Sequence, residues 1–189
     1  MRKKNIDNKI QEEDPKQNKQ FIVKCALISV ILMVIDQLIK IFGSNNFMDQ
    51  TIPIIDNYLY IEPCLNPNIM FYNVKYGWDI GIEIAILIPA LVIIIMGVIG
   101  IKYAGIYRGQ KLVVVGYIIL FGGALASLMD CVFWGTSLDY IYIKNWYTFD
   151  LKDMYIEVGM WMWIAGYIYF QCKQVKEKIE YEKNKDINE

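Results

Sequence analysis

The sequence predicts an all-α membrane protein: four transmembrane helices with a small extracytoplasmic β-hairpin or sheet. Three observations carry that expectation. The 189 residues are 56% hydrophobic and 14% aromatic, with a mean hydropathy of +0.29. This is too apolar for a soluble domain, while the chain is too short for a large transporter. Four stretches, 21–43, 80–101, 112–134 and 154–171, are long enough to cross a hydrocarbon core of about 30 Å, which takes about 20 helical residues. Finally, the basic residues are unevenly distributed: seven fall in residues 1–24, three in 102–111 and five from Lys173 onward, whereas the other two connections hold only Lys75, Lys144 and Lys152.

That asymmetry sets the orientation. By the positive-inside bias, both termini and the second connection are cytoplasmic, and the first and third connections, 44–79 and 135–153, face outward. The first stretch reads as a retained helix, because it is too long for a signal-peptide core and no small-x-small cleavage site follows it. Cys25 lies too early in it, after Ile22-Val23-Lys24, to be a lipidated cysteine. The fourth stretch is short and is expected to begin at the interface. The tails, 1–20 and 172–189, are rich in Lys, Glu, Asn and Gln, and are expected to be solvated and partly disordered. Residues 21–171 then form one four-span unit. Within the first outward connection, β-branched and aromatic residues surround Asp56-Asn57 between Thr51 and Asn66, which predicts a hairpin lying on the membrane surface. Pro53 and Pro63 would confine it to an edge.

Several functions are excluded. A formal charge of −1 gives no basic face for nucleic acid. With no histidine in the chain, neither Ser-His nor Cys-His catalysis nor a His-ligated metal is available. The cysteines Cys25, Cys64, Cys131 and Cys172 fall singly and read as free thiols. No cofactor or metal is expected.

What remains is acid chemistry. Asp36 and Lys40 share a face of the first span, four residues apart. Asp130 ends the third span after Gly122-Gly123-Ala124 and Ser127, small residues that let a neighbouring helix approach. Asp139, Asp150 and Asp153 follow. Carboxylates inside a membrane cost about 2.5–3.5 kcal/mol each at a helix centre, yet Asp36, Asp130, Asp139 and Asp153 all converge on the outer leaflet. Two carboxyls at the edge of an apolar medium cannot both ionise freely. One keeps its proton and polarises a carbonyl, while the other deprotonates water, which is peptide hydrolysis by an aspartic dyad.

The order of motifs resembles signal peptidase II, the lipoprotein signal peptidase family. Asp36-Gln37-Leu38-Ile39-Lys40 is similar to that family's DQxxK. Asn66, followed by Phe71, sits where its NxGAAF block would fall. Gly122–Asp130 resembles GGALGNxxD, Leu138-Asp139-Tyr140 resembles VDF, and Phe149-Asp150-Leu151-Lys152-Asp153 resembles FNxAD. The resemblance covers about residues 20–171. It implies a bacterial inner-membrane endopeptidase, expected to be monomeric, that cleaves diacylglyceryl-modified prolipoproteins before the lipidated cysteine. Its partners would be that substrate and membrane lipids. The catalytic pair would be Asp139 and Asp153, with Asp36, Lys40, Asn66 and Asp130 as supporting residues. Where the pattern has Asn, Arg and Asn, this chain has Ser127, Cys131 and Asp150. Loss of the arginine removes a charge that could have neutralised Asp130, and Asp150 puts another anion near the dyad, and both changes should raise carboxyl pKa values. On its residues alone, Asp150 reads equally as a solvated acid, and Asn66 as a turn residue. The alternative class is a catalytically inactive protein of the same fold that binds lipid or signal peptide. A cation or proton carrier would instead need its acids at mid-bilayer.

Overall fold

The computed structural model describes residues 15–48, 50–66 and 81–187. The expectations for 1–14, for Lys75 and Phe71 and for the first residue of the second span fall outside them. Four long helices carry the fold: α1 (Pro15–Phe47), α2 (Ile82–Tyr107), α3 (Lys111–Phe133) and α4 (Leu151–Ile187). Between them run the strands β1 (Ile52–Ile55), β2 (Leu59–Asn66), β3 (Ser137–Ile143) and β4 (Thr148–Phe149).

α1 runs unbroken from Pro15 through the first apolar stretch. Its aliphatic side chains, such as Leu27, Ile31 and Leu38, are exposed, while a narrow stripe of Cys25, Ser29, Asp36, Lys40 and Gly43 is buried. Leaving aliphatics outside and polar groups inside is the arrangement expected when the surrounding medium is lipid. Ser29 belongs to this inner stripe, and its hydroxyl reaches Ile118 O of α3 at 2.9 Å.

α3 lies at the centre. A Cβ added to Gly116 would lie 2.4 Å from the backbone nitrogen of Trp163, and one added to Gly159 would lie 2.5 Å from that of Leu120. These two glycines let the backbones of α3 and α4 meet, as in membrane helix pairs built on small residues. Gly123 meets Ile156 and Gly166 meets Val113 along the same seam. Residues 156–166 of α4 therefore run antiparallel along residues 113–123 of α3.

The helical content differs from expectation in two places. Among the described residues, α1, α2 and α3 are long and apolar enough to cross a membrane. The 154–171 stretch is less apolar, holding Glu157, Gln171 and several Tyr and Trp residues whose rings suit an interface. The carboxy-terminal tail is a continuation of α4 to Ile187, not a coil. Its exposed Lys and Glu are strong helix formers, and Lys178 and Glu182 pair across one turn at 3.9 Å.

The sheet is also larger than a hairpin. The strands are joined antiparallel in the order β1-β2-β3-β4, so the first and third connections form one unit. Pro53 does lie on the edge strand β1, but Pro63 sits within the central strand β2. It is tolerated there because the β2–β3 register shifts between Ile61 and Cys64, which releases the ladder from needing its N–H. Asn57 and Asn145, at φ 62°, turn the two hairpins, a conformation asparagine accepts more readily than most residues. Ile54, Ile55, Tyr58 and Trp146 project exposed from these hairpins.

Substituting Gly116→Ala should force the α3–α4 seam apart and lower stability by about 1–3 kcal/mol. Gly97→Ala, with nothing within 4 Å of its added Cβ, should leave the unfolding temperature in detergent within about a degree. Equal melting of both variants would refute the close-packed seam.

Candidate active site

The pairing of β2 with β3 fixes the first part of the site. Asn66 pairs with Ser137 across the ladder, next to Asp139. Asn66 Nδ2 donates to Asp139 Oδ2 at 2.7 Å, and Ser137 Oγ donates to Asp139 Oδ1 at 2.6 Å. Thr136 Oγ1 donates to the carbonyl of Asn66 and ties the strand ends together. Asp139 is thus buried and held through both carboxyl oxygens.

The amino terminus of α4 supplies the second part. Asp150 is its cap: Oδ1 accepts the backbone N–H of Asp153 at 3.0 Å, while Asp153 Oδ2 receives the N–H of Asp150 at 3.4 Å. This is the reciprocal arrangement of a capping box. The next two N–H groups are satisfied from elsewhere, Leu151 by Tyr140 Oη at 3.2 Å and Lys152 by Asp36 Oδ1 at 3.1 Å. The first two N–H groups of the helix are therefore aimed at groups from other elements, and the positive end of its dipole faces three carboxyls.

Two ammoniums bind the acids together. Lys40, fully buried, lies 3.0 Å from Asp36, 2.5 Å from Asp130 and 2.6 Å from Asp150. Gln37 Nε2 adds a bond to Asp130 Oδ1 at 2.8 Å. Lys152 lies 2.5 Å from Asp150, 3.2 Å from Asp130, and 3.7 Å from both Asp139 and Asp153. Among the described residues, five carboxyls thus face two ammoniums within one cluster, a balance that favours keeping protons in the site.

The structure brings Asp36, Lys40, Asn66, Asp130, Asp139, Asp150 and Asp153 together. Ser127 stands apart, half-buried on α3 with no hydrogen bond among the described residues. Two expectations are corrected. Asp150 is fully buried and is not a solvated acid. Burial alone would raise its carboxyl, but the Lys152 and Lys40 ammoniums outweigh burial and hold it below the usual carboxylate range. Nor does Asp130 lack a counter-charge, since Lys40 and Lys152 both reach it. Cys131, in the place of the pattern's arginine, points elsewhere and lies 3.5 Å from Ala85 O of α2. The residues that sequence reasoning missed are Lys152, Ser137 and Gln37. Lys152 had a signal: a cation between two acids three residues apart.

The expected rise in carboxyl pKa does hold at Asp153, which precedes the fourth apolar stretch. Burial pushes its carboxyl up, Asp150 and Asp139 push it further, and Lys152 opposes them, leaving it at about 7. It is also the accessible member of the cluster, with 46% of its side-chain surface open against 4% for Asp139. One oxygen from each of Asp139, Asp150 and Asp153 lies within 4.8 Å of the other two. Such a triad could hold a cation, and here the Lys152 ammonium lies against all three.

Apolar helices able to cross a membrane, packed around a buried acid–lysine cluster and joined to a small sheet, define a class of polytopic membrane protein. The comparisons refine that description. The family model for signal peptidase (SPase) II matches residues 28–169, and the chain belongs to that family. It is 30% identical over 150 residues to the lipoprotein signal peptidase of Clostridioides difficile, covering 78% of this chain and 96% of the relative. It is also 30% identical over 163 residues to that of Serratia proteamaculans, covering 80% and 90%. In fold it is similar to a bacterial membrane enzyme solved by the in meso method at 1.9 Å, with a TM-score of 0.63 and 22% identity over 77% of this chain and 92% of that one.

Lys40→Met would leave Asp36, Asp130 and Asp150 without their shared cation and should cost about 3–5 kcal/mol. Lys178→Met, which breaks an exposed pair, should cost about 0.5 kcal/mol or less. Denaturant unfolding in detergent checks both, and comparable losses would mean that the buried network does not hold the fold.

Proposed function

We propose that the protein is an intramembrane aspartic endopeptidase that removes signal peptides from diacylglyceryl-modified prolipoproteins, cleaving just before the lipidated cysteine. The observation that carries this reading is the meeting of Asp139 and Asp153 from separate segments, with carboxyl oxygens within 4.8 Å of each other. That spacing lets one water hydrogen-bond to both.

In this mechanism Asp139 is the base and Asp153 the acid. Asp139 takes a proton from the water as its oxygen attacks the scissile carbonyl carbon, and Asp153 gives its proton to the carbonyl oxygen. The resulting gem-diol collapses when the C–N bond breaks. The leaving nitrogen then takes the proton held by Asp139, and a hydroxyl of the gem-diol returns one to Asp153 as the carboxylic acid forms. Protons and charge balance without a metal or a covalent intermediate. Asn66 and Ser137 aim Asp139, while Asp36, Lys40 and Asp130 brace the helices that carry the two acids.

The orientation follows the basic residues: both termini lie in the cytoplasm and the cluster lies at the outer face of a bacterial inner membrane. The fourth span is the 154–171 part of α4, a reading supported by its seam along α3. The substrate's acyl chains would stay in the lipid and hold the scissile bond at this depth, so their binding energy positions the bond. The exposed Ile54, Ile55 and Tyr58 of the sheet would rest against the same interface.

With a diacylglyceryl prolipoprotein in detergent, Asp139→Asn and Asp153→Asn should each slow cleavage by about 10³-fold or more. Persistence in both variants would refute the assignment, and a wild type that binds but never cleaves would favour an inactive binding protein. The acid must be protonated, and its carboxyl sits at about 7. The cleavage rate should therefore fall about tenfold per unit as pH rises beyond neutrality. A rate still increasing at pH 9 would contradict Asp153 as the proton donor.

A further inference from the structure

The mechanism above leaves one buried cation beside the dyad unexplained. Lys152 is the second residue of α4, and its Nζ donates to Ser137 Oγ at 2.8 Å. Ser137 in turn donates to Asp139 Oδ1 at 2.6 Å, against 3.4 Å for its alternative acceptor, Asp130 Oδ2. A hydroxyl has one proton to give. With Lys152 filling a lone pair on the Ser137 oxygen, that proton is committed to the nearer carboxylate. Lys152 is also the cation that faces both members of the dyad, at 3.7 Å from each.

Resting on the peptidase reading, we propose that Lys152 and Ser137 form a positioning relay that aims Asp139 as the base and confines the dyad's proton to Asp153. Neither touches the reacting atoms. The relay works because Lys152 is itself held. Asp150 and Asp153 face it from its own segment, Asp130 from α3 and Asp139 from β3, and Lys40 repels it from α1. Its backbone N–H is anchored on Asp36. A flexible, solvated lysine could not select one acceptor for Ser137. Here the ammonium is fixed from four sides and its charge is retained.

The fixed cation also makes a signed prediction. Lys152 lowers the affinity of the Asp153 carboxyl for its proton, so its removal should move the alkaline limb of the pH profile upward. Asp150 would be left with Lys40 alone, so Lys152→Met is paired with Asp150→Asn/Lys152→Met, which removes the ion pair together and keeps an amide able to cap α4.

The test measures kcat, KM and their pH dependence on a diacylglyceryl prolipoprotein for Lys152→Met, Lys152→Arg, Ser137→Ala and the double variant. An infrared titration of carboxylic C=O bands in the same resting proteins accompanies it. Lys152→Met should lose roughly a hundredfold in kcat, with KM within about twofold, and the alkaline limb of its profile should shift up by about one unit. Lys152→Arg should recover most of the rate. Ser137→Ala should lose kcat with a smaller shift, and the double variant should remain slow while folding normally. Wild-type kcat and an unshifted profile in the double variant would overturn the relay and leave the peptidase reading intact, since Asp139→Asn would still abolish cleavage. If the wild type cleaves nothing, the peptidase reading fails, and the infrared titration decides the relay alone. An upward shift of a carboxyl band in Lys152→Met supports the relay, and identical titrations overturn it.

Discussion

The buried ammonium of Lys40 is the point through which the rest of the structure is tied. It meets Asp36 on its own helix, Asp130 from α3 and Asp150 from the cap of α4, all within 3.0 Å. A lysine in so apolar a setting would be expelled without those anions, and the anions would be expelled without the lysine. The three helices must therefore come together for any of these groups to be tolerated. Once they do, the amino terminus of α4 has a fixed place, and Asp153 is fixed with it.

The sheet performs the complementary task. Asp139 lies on β3, and only the pairing with β2 brings Asn66 within reach of it. Asp153 and Asp139 are therefore held by two independent constructions, a helix cap tied by ion pairs and a strand held by a ladder. Their junction is the Lys152–Ser137 contact. Placing the acids on rigid elements, with hydrogen bonds on the supporting residues, is the general requirement for a precise site.

How much of this was legible in the sequence depends on the length scale of the signal. The apolar runs gave the helices, and Asp36 and Lys40 showed their shared face through the four-residue spacing. Convergence of Asp130, Asp139 and Asp153 followed from their common depth. The sheet was legible only in part, because the alternation around Asp56-Asn57 marks the first hairpin, whereas the pairing of β2 with β3 joins segments more than seventy residues apart. The fate of Asp150 was hidden for a related reason. Its capping role is local and readable as Asp150-x-x-Asp153, but its burial depends on Lys40 from a distant helix. Lys152 looked like one of three outward lysines because a positive-inside count weighs charge without location. The helical tail was missed because polarity was taken for disorder, although Lys and Glu in repeated i, i+4 spacing support an exposed helix.

The central claim is that Asp139 and Asp153 flank one reacting oxygen. It is tested most directly by a structure of the protein bound to a lipopeptide carrying a hydroxyethylene group in place of the scissile amide. The hydroxyl of that group mimics the oxygen of the tetrahedral intermediate. The account predicts that it will lie within hydrogen-bond distance of both carboxyls, with the acyl chains leaving the site toward the lipid. A hydroxyl bound to one acid alone, or seated away from both, would contradict it.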